Sequence, residues 1–400
     1  MKSLKELYRM GPGPSSSHTI GPQRCAKVFL QRYPNADYYV AHLYGSLSMT
    51  GKGHFTDKII METFEPLPCK VVFEHDEPLK HPNTLTLEAF HQNECIGSLT
   101  FYSVGGGAIR IEGEPSGEGK DIYPHHFLND ILKYCRENGM ELWEYVNTFD
   151  PMGDYMDQIM QQMLDTVERG LSEEGLLPGK LQLERMGKAL YEQAQECRIP
   201  SQKEKLLLCS YAYAACEENA AGHMTVTAPT LGSSGILPAV VTYFYKDLNY
   251  PRQKIRNGLK IAGLIGNIIK ENATISGAQG GCQAEVGAAI SMAAAMCAYL
   301  QGCDNGIIEY AAEIGMEHHL GLTCDPVGGY VMIPCIERNA VGVLRAIDAS
   351  LLAQHLSMIR REHTISFDMV VNTMNYTGKK IPIELRETSL GGLAAVLKLN

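Results

Sequence analysis

The stretch ILKYCRENG, Ile131 to Gly139, is where one pattern of apolar residues gives way to another. From Pro124 onward the spacing is helical, and Gly139 closes the stretch as a C-cap would, because glycine enters the left-handed region without steric cost. Upstream the period is two. YYVAHLYG (Tyr38 to Gly45), KVVFEH (Lys70 to His75), TLTLEAF (Thr84 to Phe90) and CIGSLTFYSV (Cys95 to Val104) alternate as strands do, and Gly105-Gly106-Gly107 turns the chain into a further strand, AIRIEG. One helix joins them: PQRCAKVFLQRY carries Pro22 in its first turn and sets Cys25, Val28 and Phe29 on one face. Downstream few alternating runs remain. The polar step Arg136-Glu137-Asn138-Gly139 puts the division near residue 135. The expected fold is an α+β amino-terminal domain, residues 1–135, followed by a mainly α-helical domain, residues 136–400.

A chain of 400 residues buries a sizeable core without cross-links. With 45% apolar residues, 20% charged and 39 glycines, the composition excludes disorder and points to close backbone packing. The 45 acidic against 35 basic residues leave a net charge of −10, and no basic run is present to neutralise a phosphate backbone, so no nucleic-acid partner is expected. MKSLKELYRM puts Lys, Glu and Arg where an export signal has its apolar core, and a cytoplasmic location is expected. The 12 cysteines are too sparse for a disulfide scaffold, so those with a role are expected to be ligands or nucleophiles. VGAAISMAAAMCAYLQGC, Val286 to Cys303, brushes the length of a membrane span. Its Ala and Gly content, the Glu285 before it and the lack of an aromatic belt or basic flank make it a helix buried in protein, and no membrane partner is expected.

Three cysteines sit beside Gly or Pro: Gly280-Gly281-Cys282-Gln283, Thr323-Cys324-Asp325-Pro326 and Ile333-Pro334-Cys335-Ile336. Such neighbours let the backbone approach an inorganic centre and aim amides at its sulfurs. The spacings, 42 and then 11 residues, match neither a zinc ribbon nor a ferredoxin run. Buried cysteine acting as a small hydrophobe stays open as the alternative. Cys209, Cys216 and Cys297 fall in helical segments without such flanks and read as core.

Three further motifs carry hydroxyls or imidazoles. Ser15, Ser16, Ser17 and His18 precede the helix at Pro22, where hydroxyls and amides suit a carboxylate, with one of them expected to be an ordinary cap. Gly51-Lys52-Gly53-His54 flanks an imidazole with glycines, an arrangement expected to expose the ring rather than pack it, with a lone surface histidine as the alternative. Thr227-Ala228-Pro229-Thr230 followed by Gly232-Ser233-Ser234-Gly235 is a hydroxyl-rich turn suited to an anion.

Taken together, GPSSSHT, GSLSMTGKGHFTD, FYSVGGG, ENAAGHMTVTAPTLGSSGILPAV, SGAQGGCQAEVG and GLTCDPVGGYVMIPCIERNA resemble the iron-sulfur-dependent L-serine dehydratases (L-serine ammonia-lyases) in their single-chain form, over nearly the whole chain. The resemblance implies a lyase of amino-acid catabolism and gluconeogenesis. Its first domain would be similar to a substrate-binding regulatory domain of phosphoglycerate dehydrogenases, and its helical catalytic domain would hold a [4Fe-4S] cluster on Cys282, Cys324 and Cys335. It further implies a small amino-acid substrate held at Ser15, Ser16, Ser17, Thr227, Thr230, Gly232, Ser233 and Ser234, with His54 as the base and His18 orienting the substrate. A homodimer is the expected assembly. Leu231 and His223 stand where the family pattern has Asn and Gly. The chain also ends AVLKLN after Gly391-Gly392-Leu393-Ala394, without the family's terminal cysteine, which leaves the fourth iron to water, to the carboxylate of Asn400 or to another group.

The chemistry suits these residue types. Dehydrating serine expels hydroxide, a poor leaving group that a Lewis-acidic metal stabilises, and an imidazole titrating near neutrality suits removal of the α-proton. Competing readings are the same elimination with pyridoxal phosphate, using Gly232 to Gly235 as a phosphate cup, a related eliminase on threonine or cysteine, and a serine-binding redox sensor. The pyridoxal reading asks for a Schiff-base lysine and an alternating α/β fold, which the helical second half does not offer.

Overall fold

The computed structural model describes residues 1–74, 80–115, 119–359 and 363–397, so His75 and Asn400 lie outside the described residues. Its strands are β1 (Met10–Pro12), β2 (Tyr38–Gly45), β3 (Cys69–Phe73), β4 (Asn83–His91), β5 (Glu94–Gly105), β6 (Ala108–Ile111) and β7 (Met224–Val226). Five of them form one sheet in the order β3-β2-β4-β5-β6. Only β2 and β3 run parallel, and the helix Thr56–Phe64 makes the crossover that parallel neighbours require. Strand alternation turns Tyr39, Ala41 and Leu43 of β2 and Leu85, Leu87 and Ala89 of β4 onto one face. Cys25 and Phe29 of the helix Gly21–Arg32, with Ile60 and Phe64, close over that face.

The rest is mainly helical. Gly139 ends the helix Leu128–Asn138 at φ 63°, the left-handed cap its sequence calls for. Residue 135 lies inside that helix, and Leu128, Ile131 and Cys135 pack into the helical core, so packing places the whole helix with the second part. At the centre is Val286–Leu300, covered by the helices Arg252–Asn272, Asn305–Glu317 and Cys335–Ile359. Cys282–Leu300 is long and apolar enough to cross a membrane, but 89% of that window is buried inside the protein, as befits a core helix.

One feature of the fold departs from a simple division of the chain. Met1, Leu4, Leu7 and Tyr8 are buried in the helical core, not against the sheet. Glycines on Arg252–Asn272 make the room: a Cβ at Gly263 would lie 2.8 Å from both Leu4 and Tyr8. The chain then pairs β1 antiparallel with β7 of the helical part. Asn219 donates to the carbonyl of Pro14 at 2.8 Å, so the segment Ser15 to Thr19 is anchored on the helical domain before the sheet begins.

Candidate active site

Two of the flanked cysteines, Cys282 and Cys324, meet at the amino-terminal end of the core helix, with Cys335 near enough for its thiol to feel Cys282. Cys282 opens the short turn Cys282–Ala284 just before Val286–Leu300, and Cys335 begins the helix Cys335–Ile359. Cys324 sits on a bridge to the carboxy-terminal segment, its N–H donating to Leu385 at 2.8 Å and its carbonyl accepting from Glu387 at 2.7 Å. All three are buried. The sulfurs of Cys282 and Cys324 and a carboxylate oxygen of Glu285 lie within 4.8 Å of one another. Glu285 accepts from Thr230 at 2.7 Å and stands 3.8 Å from the Cys324 sulfur. A Cβ at Gly277 would stand 2.7 Å from the Glu285 carboxylate and 3.4 Å from the Cys324 sulfur, so only glycine leaves this space open.

Charge organises the same group. The hydrogen bond from Cys324 holds the Cys282 thiol below its ordinary value, with the Arg338 guanidinium adding to the effect. The same bond, with burial, pushes Cys324 well up. Burial raises Cys335, and the neighbouring Cys282 adds to it. Arg338 is itself tied down, donating to the Thr323 carbonyl at 2.6 Å beside Asp325. Two soft thiols, a carboxylate among them and an open glycine cradle are a donor set that fits a metal centre.

Across this wall stand two histidines from the amino-terminal part. Their rings lie 4.4 Å apart, centroid to centroid. Burial lowers His18 well below its ordinary value and lowers His54 to about 4, so both are neutral near pH 7. The expectation of an exposed His54 is corrected: the residue is 1% exposed. Its glycines serve close approach instead, since a Cβ on Gly53 would meet the Gly329 carbonyl of the helical domain at 2.7 Å.

Hydrogen bonding fixes the tautomers. The Thr50 hydroxyl donates its one proton to the Ser46 carbonyl at 2.8 Å, so it accepts from Nδ1–H of His54 at 3.1 Å. The lone pair of His54 is therefore on Nε2. Ser46 likewise donates to the Glu387 carbonyl at 3.3 Å and accepts from Nε2–H of His18 at 2.9 Å, while Nδ1 of His18 faces Ser17 at 2.9 Å. His18 is held at both nitrogens and His54 at one.

The hydroxyl motifs divide. Ser15 is the expected cap, accepting from the His18 N–H at 3.1 Å, and Ser17 reaches both His18 and, at 3.2 Å, Glu387. Ser16 is buried, and its carbonyl accepts from Gly21. Thr230 and Gly232 border Glu285. Ser233 and Ser234 tie their own turn, to Ala228 at 3.2 Å and Leu231 at 2.8 Å. Thr227 is committed elsewhere: its hydroxyl donates to Leu7 at 2.6 Å and accepts from the Arg9 N–H at 2.8 Å, clamping the amino-terminal strap. Sequence reasoning missed Glu285, Arg338, Glu387, Ser46 and Thr50. Glu285 lies within the SGAQGGCQAEVG motif, yet its charge reads there only as the flank of an apolar run.

Thiols, a half-buried carboxylate and two neutral imidazoles facing one another across a domain seam are the equipment of a metal-dependent enzyme with histidine acid-base chemistry. The chain belongs to the serine dehydratase family: residues 3–71 match the serine dehydratase beta chain and residues 128–394 the serine dehydratase alpha chain. It is 37% identical to an L-serine dehydratase of Haemophilus influenzae over an alignment covering 100% of both chains. It is 38% identical to L-serine dehydratase TdcG of Escherichia coli K12, with 98% of this chain and 99% of that one covered. To an L-serine dehydratase of Helicobacter pylori it is 36% identical, with 99% of each covered.

Proposed function

We propose that the chain is an L-serine ammonia-lyase, converting serine to pyruvate and ammonia, with a [4Fe-4S] cluster held by Cys282, Cys324 and Cys335. The observation that carries this reading is the meeting of the Cys282 and Cys324 thiols with Glu285, joined through Glu387 to Ser17 and Ser46 beside His18, with Cys335 near enough for its thiol to feel Cys282. When bound, the cluster supplies Lewis acidity, easing the loss of hydroxide, whose conjugate acid has a pKa of about 15.7. Nε2 of His54 carries the lone pair and takes the α-proton, and Thr50 fixes the ring for that transfer. His18, clamped by Ser17 and Ser46, positions the substrate rather than moving a proton. Ser15, Ser16 and Ser17 present hydroxyls and amides to the substrate carboxylate; Thr230, through Glu285, and the internally bonded turn Gly232-Ser233-Ser234 shape the wall beside it, and Thr227 supports that surface through the strap. The aminoacrylate product then tautomerises and hydrolyses.

The pyridoxal reading is not favoured, because the turn Gly232 to Gly235 is already satisfied by protein: Asn339 donates to Gly232 at 2.9 Å and accepts from Gly235 at 3.0 Å. We further read the enzyme as cytoplasmic and homodimeric. Val341, Leu351, Leu352 and Met358, exposed along Cys335–Ile359, favour an assembly. Protein purified without oxygen is expected to be brown, with a broad visible absorption, and to release pyruvate from serine. Colourless protein inactive on serine, or activity that depends on pyridoxal phosphate, overturns the proposal.

A further inference from the structure

The carboxy-terminal segment brings a residue into the site that no motif announces. Glu387 is 6% exposed and holds φ 55°, a backbone conformation that a non-glycine residue adopts only when its surroundings impose it. Its N–H donates to the Cys324 carbonyl at 2.7 Å, and its own carbonyl accepts from Ser46 at 3.3 Å. The two bonds pin the residue between the cysteine wall and the histidine wall. Oε1 lies 3.2 Å from the Ser17 hydroxyl and the Ala278 N–H faces the carboxylate, whereas Oε2 is buried and makes no hydrogen bond of good geometry among the described residues. An acceptor left unmet in an interior is costly, so a site that keeps one is built to receive a donor from elsewhere.

We propose that the Glu387 carboxylate receives the α-ammonium of the amino-acid substrate. The inference rests on the reading of the site as an amino-acid lyase and names the group that reads its amine. The ring of His18, neutral near pH 7, stands 3.5 Å from Oε1, and burial holds the Glu387 carboxyl well above the usual carboxylate range, a position that an ammonium beside it reverses. Of the neighbouring carboxylates, half-buried Glu285 has Thr230 on one oxygen and stands among the thiols, and Asp325 is held by Arg338 and the Leu393 N–H, which gives both to the metal side of the site. The substrate carboxylate has hydroxyls and amides to go to, and the ammonium, with three donors, needs an anion. A cleft of about 820 Å³ is lined by Ser46, Ala278, Arg386 and Thr388, the bonding and chain neighbours of Glu387.

The test compares serine with 3-hydroxypropionate, the same molecule without its amine, on anaerobically prepared wild type and Glu387→Gln. The substitution keeps the shape and removes the charge. The KM for serine is expected to rise about 10- to 100-fold, as losing a charged hydrogen bond implies, while the inhibition constant for 3-hydroxypropionate stays within about twofold. Equal changes in both constants, or no change in either, overturn the assignment. If Glu387→Gln loses its colour, Glu387→Asp carries the test. Retaining the preference for serine over 3-hydroxypropionate supports the assignment, and losing it with the colour intact overturns it. Should the wild type release no pyruvate, the lyase reading is what fails. Serine is then a stable ligand, and its calorimetric affinity for wild type and Glu387→Gln judges Glu387 separately, by the same expected loss.

Discussion

On the helical wall of the site, Cys282, Cys324 and Cys335 each stand at the start or edge of an element with Gly or Pro beside them, and their surroundings come from the same domain. On the opposite wall, His18 and His54 are carried by a turn and a loop of the amino-terminal part, and what buries them is partly foreign. Gly329 closes on Gly53, and Glu387 on Ser17. The first wall is local in origin and the second is assembled. A thiol ligand needs only a small, permissive backbone neighbourhood, which sequence can display. A neutral, oriented imidazole needs desolvation and a fixed tautomer, which two domains must supply together.

The largest expected break in that contrast is loss of the local wall. Cys282→Ser, Cys324→Ser and Cys335→Ser are each expected to lose colour and pyruvate formation together, while Cys209→Ser, half-buried on a helix, retains both. Iron content and steady-state rate read this directly, and retention of iron in all the ligand variants removes the assignment.

On the assembled wall, His54→Ala is expected to keep the colour and much of the serine affinity but to lose kcat by about 10²- to 10⁴-fold, the usual worth of a positioned base. His18→Ala should raise KM more than it lowers kcat. The opposite pattern would exchange the two roles.

A smaller effect tests whether the wall is truly shared between domains. Gly53→Ala puts a methyl group 2.7 Å from the Gly329 carbonyl, so the loop must retreat. A fall in kcat of about 10- to 100-fold with unchanged iron content is expected, since displacements near 1 Å cost that much. Unchanged kcat would mean that the contact does not place His54.

The smallest signal is an absence of change with pH. The base form of His54 is the neutral ring, and burial lowers its pKa to about 4, so that form is lost only as the pH falls through that value. At saturating serine, where the ammonium holds Glu387 ionised, the acid limb of kcat is accordingly expected to be flat from about pH 8 to pH 5. A limb centred near the ordinary histidine value of about 6.5 would show the ring to be solvated in the working enzyme.

Much of this was legible before the structure. The strands Tyr38–Gly45 and Ala108–Ile111 and the cap at Gly139 follow from alternation and a single glycine, because one-sided burial imposes a period on the chain. Gly and Pro single out Cys282 and Cys324, which meet at Glu285, whereas Cys335, singled out the same way, stands outside that tight trio. The exposure of His54 was misread, because glycines flanking a histidine signal freedom of the backbone without saying whether another domain will use it.

What the sequence determined by itself is therefore periodic or permissive: the α+β part, the helical part, the buried apolar helix before Cys303, and the thiols with small neighbours. What only the tertiary structure decided is where solitary residues meet. Met1 to Tyr8 look like the start of the first domain and fill a groove in the second. Thr227 looks like an anion ligand and holds that strap. Glu387, in a polar segment with no pattern, reaches the centre of the site through a bridge to Cys324, more than sixty residues away in the chain. Periodicity reports the burial of many residues at once, whereas a single side chain in a site owes its surroundings to chain crossings that carry no local signature.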